Sequence, residues 1–217
     1  MSEDQALRAL ERSDLTASEL ARLARTPSTL KRRKLVLALA THPRTPRHSS
    51  IPLLRRMFTF DLMQVTLRPA VPADLKRLAE EQILVRLAAL SAGEKISLAR
   101  RASTRVAAEL LQEPDSRIVA AALDNSRLTE ALLGAALAKD KAPPALFDLV
   151  SAHTKWSQRH DVQIALLRSE KLPLDKVRRF ASNFSADFLQ EILPESTWSA
   201  LRDSKPGGDS PLKKSEG

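Results

Sequence analysis

Three residues in the second half of the chain, Trp156, Arg159 and Asp161, set an indole, a guanidinium and a carboxylate within six positions. An indole face stacks on a cationic base, and a nearby carboxylate steadies developing positive charge. The spacing works against a shared face, because five residues turn a helix about 140° beyond one full turn. A tryptophan at a helix start also serves as an anchor between packed layers. Asp61, flanked by Phe58, Phe60, Leu62 and Met63, is a second candidate. A carboxylate in an apolar setting has a raised pKa and is suited to proton transfer. The structural alternative makes Asp61 an N-cap or a partner for Arg55 or Arg56, with the aromatic residues in the core. The histidines form two pairs, His42/His48 and His153/His160. The second pair is seven residues apart rather than at the i,i+4 spacing of two metal ligands on one helix, and Thr154–Ser157 reads as a helix break between them.

Composition removes further chemistries. The 217 residues include no cysteine, so disulfides, zinc–thiolate sites and thiol nucleophiles are absent, which fits a reducing cytoplasm. Glycine occurs five times, and Gly93 and Gly134 stand alone, so no phosphate-cradling loop is present. No HExxH, calcium-loop or Gly-x-Ser-x-Gly pattern occurs. No catalytic, cofactor-binding or metal-binding residue is assigned, and a non-enzymatic protein without a cofactor is expected.

Charge is more informative. Between Leu20 and Phe60 lie ten basic residues and no acid: Arg22, Arg25, Lys31, Arg32, Arg33, Lys34, Arg44, Arg47, Arg55 and Arg56. The whole chain has 35 basic and 26 acidic residues, so this stretch holds all of the excess. A localised field of this kind attracts an anionic partner. Lys31–Lys34 precede the apolar run Leu35–Leu39 and read as the first turns of an otherwise buried helix. Positive charge at a helix N-terminus opposes the helix dipole, and an anionic partner would relieve that conflict. Glu80, Glu81 and Glu94 are the acids that could instead fold back onto the stretch.

The elements that position these groups read as helices throughout. Thr16 with Glu19 and Ser91 with Glu94 have the spacing of capping boxes. Thr26-Pro27 and Thr45-Pro46 place a hydroxyl before a proline at a helix start, and Pro72, Pro114, Pro143, Pro144, Pro173 and Pro194 mark further starts. Leu75, Leu78, Ala79 and Ile83 follow helical spacing, and no segment alternates as a strand does. The expectation is an all-α chain of about a dozen short helices without a β-sheet, stacked side by side in antiparallel order.

Three phrases recur. Ala38-Leu39, Ala122-Leu123 and Ala165-Leu166 each stand before a turn and a new helix start, with an offset of 43 residues between the last two. Two-helix repeats have periods near 40 to 47 residues. The stretch Ile96–Leu123, with the phrase Arg117 to Leu123 and its approximate copy Asp161 to Leu166, resembles the bacterial HEAT-like and leucine-rich-repeat-variant helical repeats. The resemblance covers Lys31 to Phe188 at the level of pattern. It implies a HEAT-like α-solenoid or an irregular helical-repeat bundle, acting as an interaction scaffold. Residues 57–72 break the rhythm and read as an irregular insert. HEAT-like alkylpurine DNA glycosylases use tryptophans and an aspartate in a basic groove, a pattern that Trp156 and Asp161 meet poorly.

The expected organisation is one domain over residues 1–203 with its basic part at 20–60, followed by a disordered tail at 204–217. Neither a signal peptide nor an apolar run near the roughly 20 residues of a transmembrane helix is seen, so a cytoplasmic protein is expected. The expected function is a scaffold that binds a protein or other polyanion through the ten basic residues. Sequence-independent nucleic-acid binding is the alternative. It is opposed by the lack of any aromatic residue between Leu20 and Arg56 to stack on a base.

Overall fold

Capping residues set several helix starts, but Thr26 makes no side-chain cap bond. Pro46 rather than Thr45 stands at an N-cap, because its helix begins one residue later than expected, at Arg47. Thr16 and Ser91 each accept the backbone N–H of the glutamate three residues on, while Glu19 and Glu94 reach back to the N–H of the cap. Thr129, Ser185 and Asp115 cap three further helices. Pro72, Pro143 and Pro173 stand at N-cap positions, where the missing N–H costs nothing. The computed structural model describes residues 3–10, 12 and 14–203. The chain is all-α, with sixteen α-helices and no strand among the described residues. The tail 204–217 lies outside them.

The contacts fall into two compact units, one ending at Ala107 and one beginning at Ala108. The first contains α1 (Glu3–Leu10), α2 (Ala17–Arg25), α3 (Pro27–Leu30), α4 (Arg33–Thr41), α5 (Arg47–Arg56), α6 (Thr59–Leu67), α7 (Ala73–Arg86) and α8 (Ala92–Arg101). α9 (Thr104–Leu110) runs across the boundary. The second contains α10 (Ser116–Leu123), α11 (Glu130–Leu137), α12 (Pro144–Ala152), α13 (His160–Arg168), α14 (Leu174–Ala181), α15 (Ala186–Ile192) and α16 (Glu195–Asp203). The helices are more numerous and shorter than the sequence suggests, because single extended residues such as Thr26 and Met57 end one helix and begin the turn to the next.

Each unit has its own apolar interior. Leu20, Leu39, Leu53, Leu62 and Ile83 are fully buried in the first, and Leu133, Leu146, Phe147, Trp156 and Leu166 in the second. Each such side chain stabilises its unit by about 1.5–3 kcal/mol relative to exposure. The segment expected to be an irregular insert, residues 57–72, instead forms α6, whose Leu62 and Val65 are wholly enclosed and which packs along α7.

Several polar links tie a helix to its second neighbour. In the first unit Arg33 on α4 donates to Asp61 on α6, Arg47 on α5 to Asp74 on α7, and Arg68 after α6 to Thr41 on α4. In the second, His153 after α12 meets Asp124 after α10, and Lys176 and Arg179 on α14 meet Asp148 and the Ser151 carbonyl on α12. All six links span 27–29 residues and tie a helix, or the turn behind it, to its second neighbour. This spacing is shorter than the 43-residue offset of the Ala-Leu phrases. That offset joins α10 to α13, three helices on, whereas Ala38 and Ala122 lie six helices apart, about three such spacings.

Candidate functional site

The ten basic residues occupy four kinds of position. Arg22 and Arg25 are in the last turn of α2 and Arg55 and Arg56 in the last turn of α5, where cations complement the helix dipole. Lys31 caps the end of α3, and Arg32 stands at the N-cap of α4 without a side-chain cap bond. Only Arg33 and Lys34 lie in the first turn of α4, so the expected single basic helix start is divided between two helices. Arg44, in the turn after α4, donates to the Leu15 carbonyl at 3.3 Å, and Arg47 opens α5.

Among the described residues, Arg33 and Arg47 meet carboxylates. Arg33 Nε donates to Asp61 Oδ2 at 2.6 Å, and Arg47 Nη2 donates to Asp74 Oδ1 at 2.9 Å. Asp61 is the third residue of α6 rather than its N-cap, and its partner is Arg33 rather than Arg55 or Arg56. It is buried, and a guanidinium bonds it directly, so it is not a bare carboxyl in an apolar pocket. The bond to Asp61 raises the Arg33 pKa above its usual range. The acids Glu80, Glu81 and Glu94 are committed elsewhere: to Arg105 at 3.7 Å, to Arg77 at 3.9 Å, and to the Ser91 cap. Arg25, Lys31, Lys34, Arg55 and Arg56 are exposed, and their side chains make no hydrogen bond or ion pair among the described residues.

The fold also brings in residues that the sequence reading left out. Phe58, assigned to the core with Phe60, is 66% exposed. It occupies the N-cap position of α6, from which its side chain leaves the helix. The Arg33 guanidinium stands 5.1 Å from its ring centre. The Arg33–Asp61 bond therefore ties the basic segment 31–34 to the start of α6, where an exposed ring follows Arg55 and Arg56 in the chain. Arg86 on α7 donates to the carbonyls of Met57 and Arg55 and adds a further cation at the same end of α5. The available signal was position: an aromatic residue two beyond an arginine pair, at a cap where Ser, Thr, Asp or Asn is the rule. Beside this surface a groove of about 680 Å³ is lined by Leu37, Ala38, Lys34, His42 and Arg68, with no carboxylate in its lining among the described residues. Burial first, and then the charge of Arg44, lower the His42 pKa.

The other sequence candidates do not assemble. Trp156 is wholly inside the second unit, and its Nε1 donates to the Leu123 carbonyl at 2.9 Å. Arg159 pairs with Glu130 at 3.3 Å, and Asp161 is exposed beside His160. A buried indole has no free face for a base, so this trio forms no glycosylase-like pocket. His42 and His153 are helix C-caps whose Nδ1 atoms accept the N–H two residues on, at 3.2 and 3.1 Å. His160 opens the next helix, so His153 and His160 share no face. Among the described residues no group of three His, Cys, Asp or Glu could hold a metal ion, and no helix is long and apolar enough to cross a membrane. Comparison with protein-family models, curated proteins and solved structures finds no match for the chain.

Proposed function

We propose that the protein is a non-enzymatic helical scaffold that binds a polyanionic partner through the basic surface of its first unit. The observation that carries this reading is the surplus of cations. The side chains of Arg25, Lys31, Lys34, Arg55 and Arg56 are exposed and have no partner among the described residues, whereas Asp61 and Asp74 already serve Arg33 and Arg47. Like charges held together raise the energy of the compact state, and an anion that binds across them lowers it. The recurring 27–29-residue links support a helical-repeat scaffold of stacked pairs. The absence of cysteine supports a reducing compartment such as the cytoplasm.

The test is retention on immobilised heparin and binding of long inorganic polyphosphate across a salt series. The wild-type protein should bind at low salt and release steeply as salt rises. The combined variant Lys31→Ala, Lys34→Ala, Arg55→Ala, Arg56→Ala should lose binding with an unchanged far-UV circular dichroism spectrum. No binding at low salt, or binding unaffected by the four substitutions, overturns the reading.

A further inference from the structure

Resting on the polyanion reading above, we infer that the partner is a single strand of nucleic acid, with Phe58 as the platform on which one unpaired base stacks. Four observations converge on this residue. Phe58 is a large apolar side chain left 66% exposed, so it gives the core little. It also gives the helix nothing, because an N-cap phenylalanine cannot accept the orphan backbone N–H groups that a serine or aspartate would satisfy. Arg33 stands over the ring and is itself fixed by Asp61 through Nε, which leaves the Nη nitrogens outside that bond and holds the guanidinium in place. The exposed cations Lys31, Lys34, Arg55 and Arg56, whose side chains have no partner among the described residues, lie within three residues of Arg33 or Phe58 in the chain, as phosphate contacts beside a stacked base require.

Single-strand binding combines these parts: cations that track the backbone and an aromatic face that takes a base without regard to its identity. The objection from sequence, that no aromatic residue interrupts the basic stretch, is met by a ring just beyond its end that a tertiary contact joins to Arg33. An acidic protein surface would use the cations, but only a single strand brings an unpaired base with every phosphate to set against the ring. A duplex keeps its bases stacked inside and offers phosphates alone.

The experiment measures fluorescence anisotropy of a labelled 20-residue oligo-dT with the full chain at low salt. Competitors are a duplex of equal length, long inorganic polyphosphate and poly-glutamate. The wild-type protein should prefer the single strand to both the duplex and poly-glutamate. Phe58→Ala should weaken oligo-dT binding about five- to a hundredfold while leaving polyphosphate binding unchanged. Phe58→Trp should retain oligo-dT binding, and its added indole emission should fall when the strand is bound. Phe58 is exposed, so both variants should keep the wild-type circular dichroism spectrum. Equal binding of single strand and duplex, preference for poly-glutamate, or wild-type affinity in Phe58→Ala would each overturn the inference. Polyphosphate binding without oligo-dT binding overturns it too, yet leaves the polyanion reading standing; failure of every polyanion brings down both.

Discussion

Through Ala107 the chain carries 20 basic and 10 acidic residues, whereas from Ala108 to Asp203 it carries 12 and 14. The two units nevertheless use charge structurally in the same way. Each ties helices to their second neighbours with a cation that meets a carboxylate or a carbonyl, as Arg33, Arg47 and Arg86 do in the first and Lys139, Arg159, Lys176 and Arg179 in the second. Such links need only a few cations per unit. The second unit, slightly acidic overall, shows that this architecture stands without a basic excess. The extra cations of the first unit, Lys31, Lys34, Arg55 and Arg56 among them, are therefore surplus to its fold. That surplus, maintained against mutual repulsion, is the observation on which the proposed binding surface rests.

Removing the links and the surplus separately sharpens this contrast. The largest effect belongs to the second unit, where Trp156→Ala deletes a buried indole and its bond to Leu123. We expect a loss of about 3–5 kcal/mol in chemical denaturation. Arg33→Ala should cost about 2 kcal/mol, because it leaves the buried Asp61 carboxylate unpaired; the figure stays below that of a fully buried pair because Arg33 is more than half exposed. The same loss of one positive charge at Lys34 or Arg55 should stay within about 0.5 kcal/mol. Equal costs for Arg33→Ala and Arg55→Ala would erase the distinction between linking and surplus cations. A smaller gain is available in the turn after α13, where Glu170 is held at φ 55°, a left-handed conformation suited to glycine. Glu170→Gly should raise stability by about 0.5–1 kcal/mol, seen as a higher midpoint in urea.

The smallest effect concerns pH. The folded state holds the His42 pKa below its ordinary value of about 6.5, mainly through burial. The unfolded chain therefore takes up the proton first, so this contribution to stability is complete above pH 6.5 and is lost as pH falls from there through the folded value. Glu19 and Glu94, held low by their capping bonds, lose theirs only as pH falls through the carboxylate range. Melting temperature followed from pH 7.5 to 5.5 should decline less in His42→Gln than in wild type.

Local signals made much of the fold legible. Thr16 with Glu19, Ser91 with Glu94 and Thr129 satisfy backbone donors a few residues away, and prolines open helices by their own geometry. Composition alone located the basic segment. The placement of Phe58 and Asp61 was not legible, because both depend on which helices pack together. An aromatic residue among Leu62 and Met63 reads as core by its neighbours in the chain, yet its exposure follows from its cap position on α6 and from the packing of α4 against α6. The 43-residue offset of the Ala-Leu phrases joins α10 to α13, whereas the polar links between second-neighbour helices emerge only from contacts between helices.

All-α character, the capping pattern, the missing thiol chemistry and the acid-free stretch thus follow from residue type and short-range spacing. Which cations are structural and which are free follows from long-range contacts. A guanidinium 28 residues from its carboxylate carries no mark of that pairing in the chain. Packing of α4 on α6 makes the pair, and the same packing sets the Arg33 guanidinium against an exposed ring.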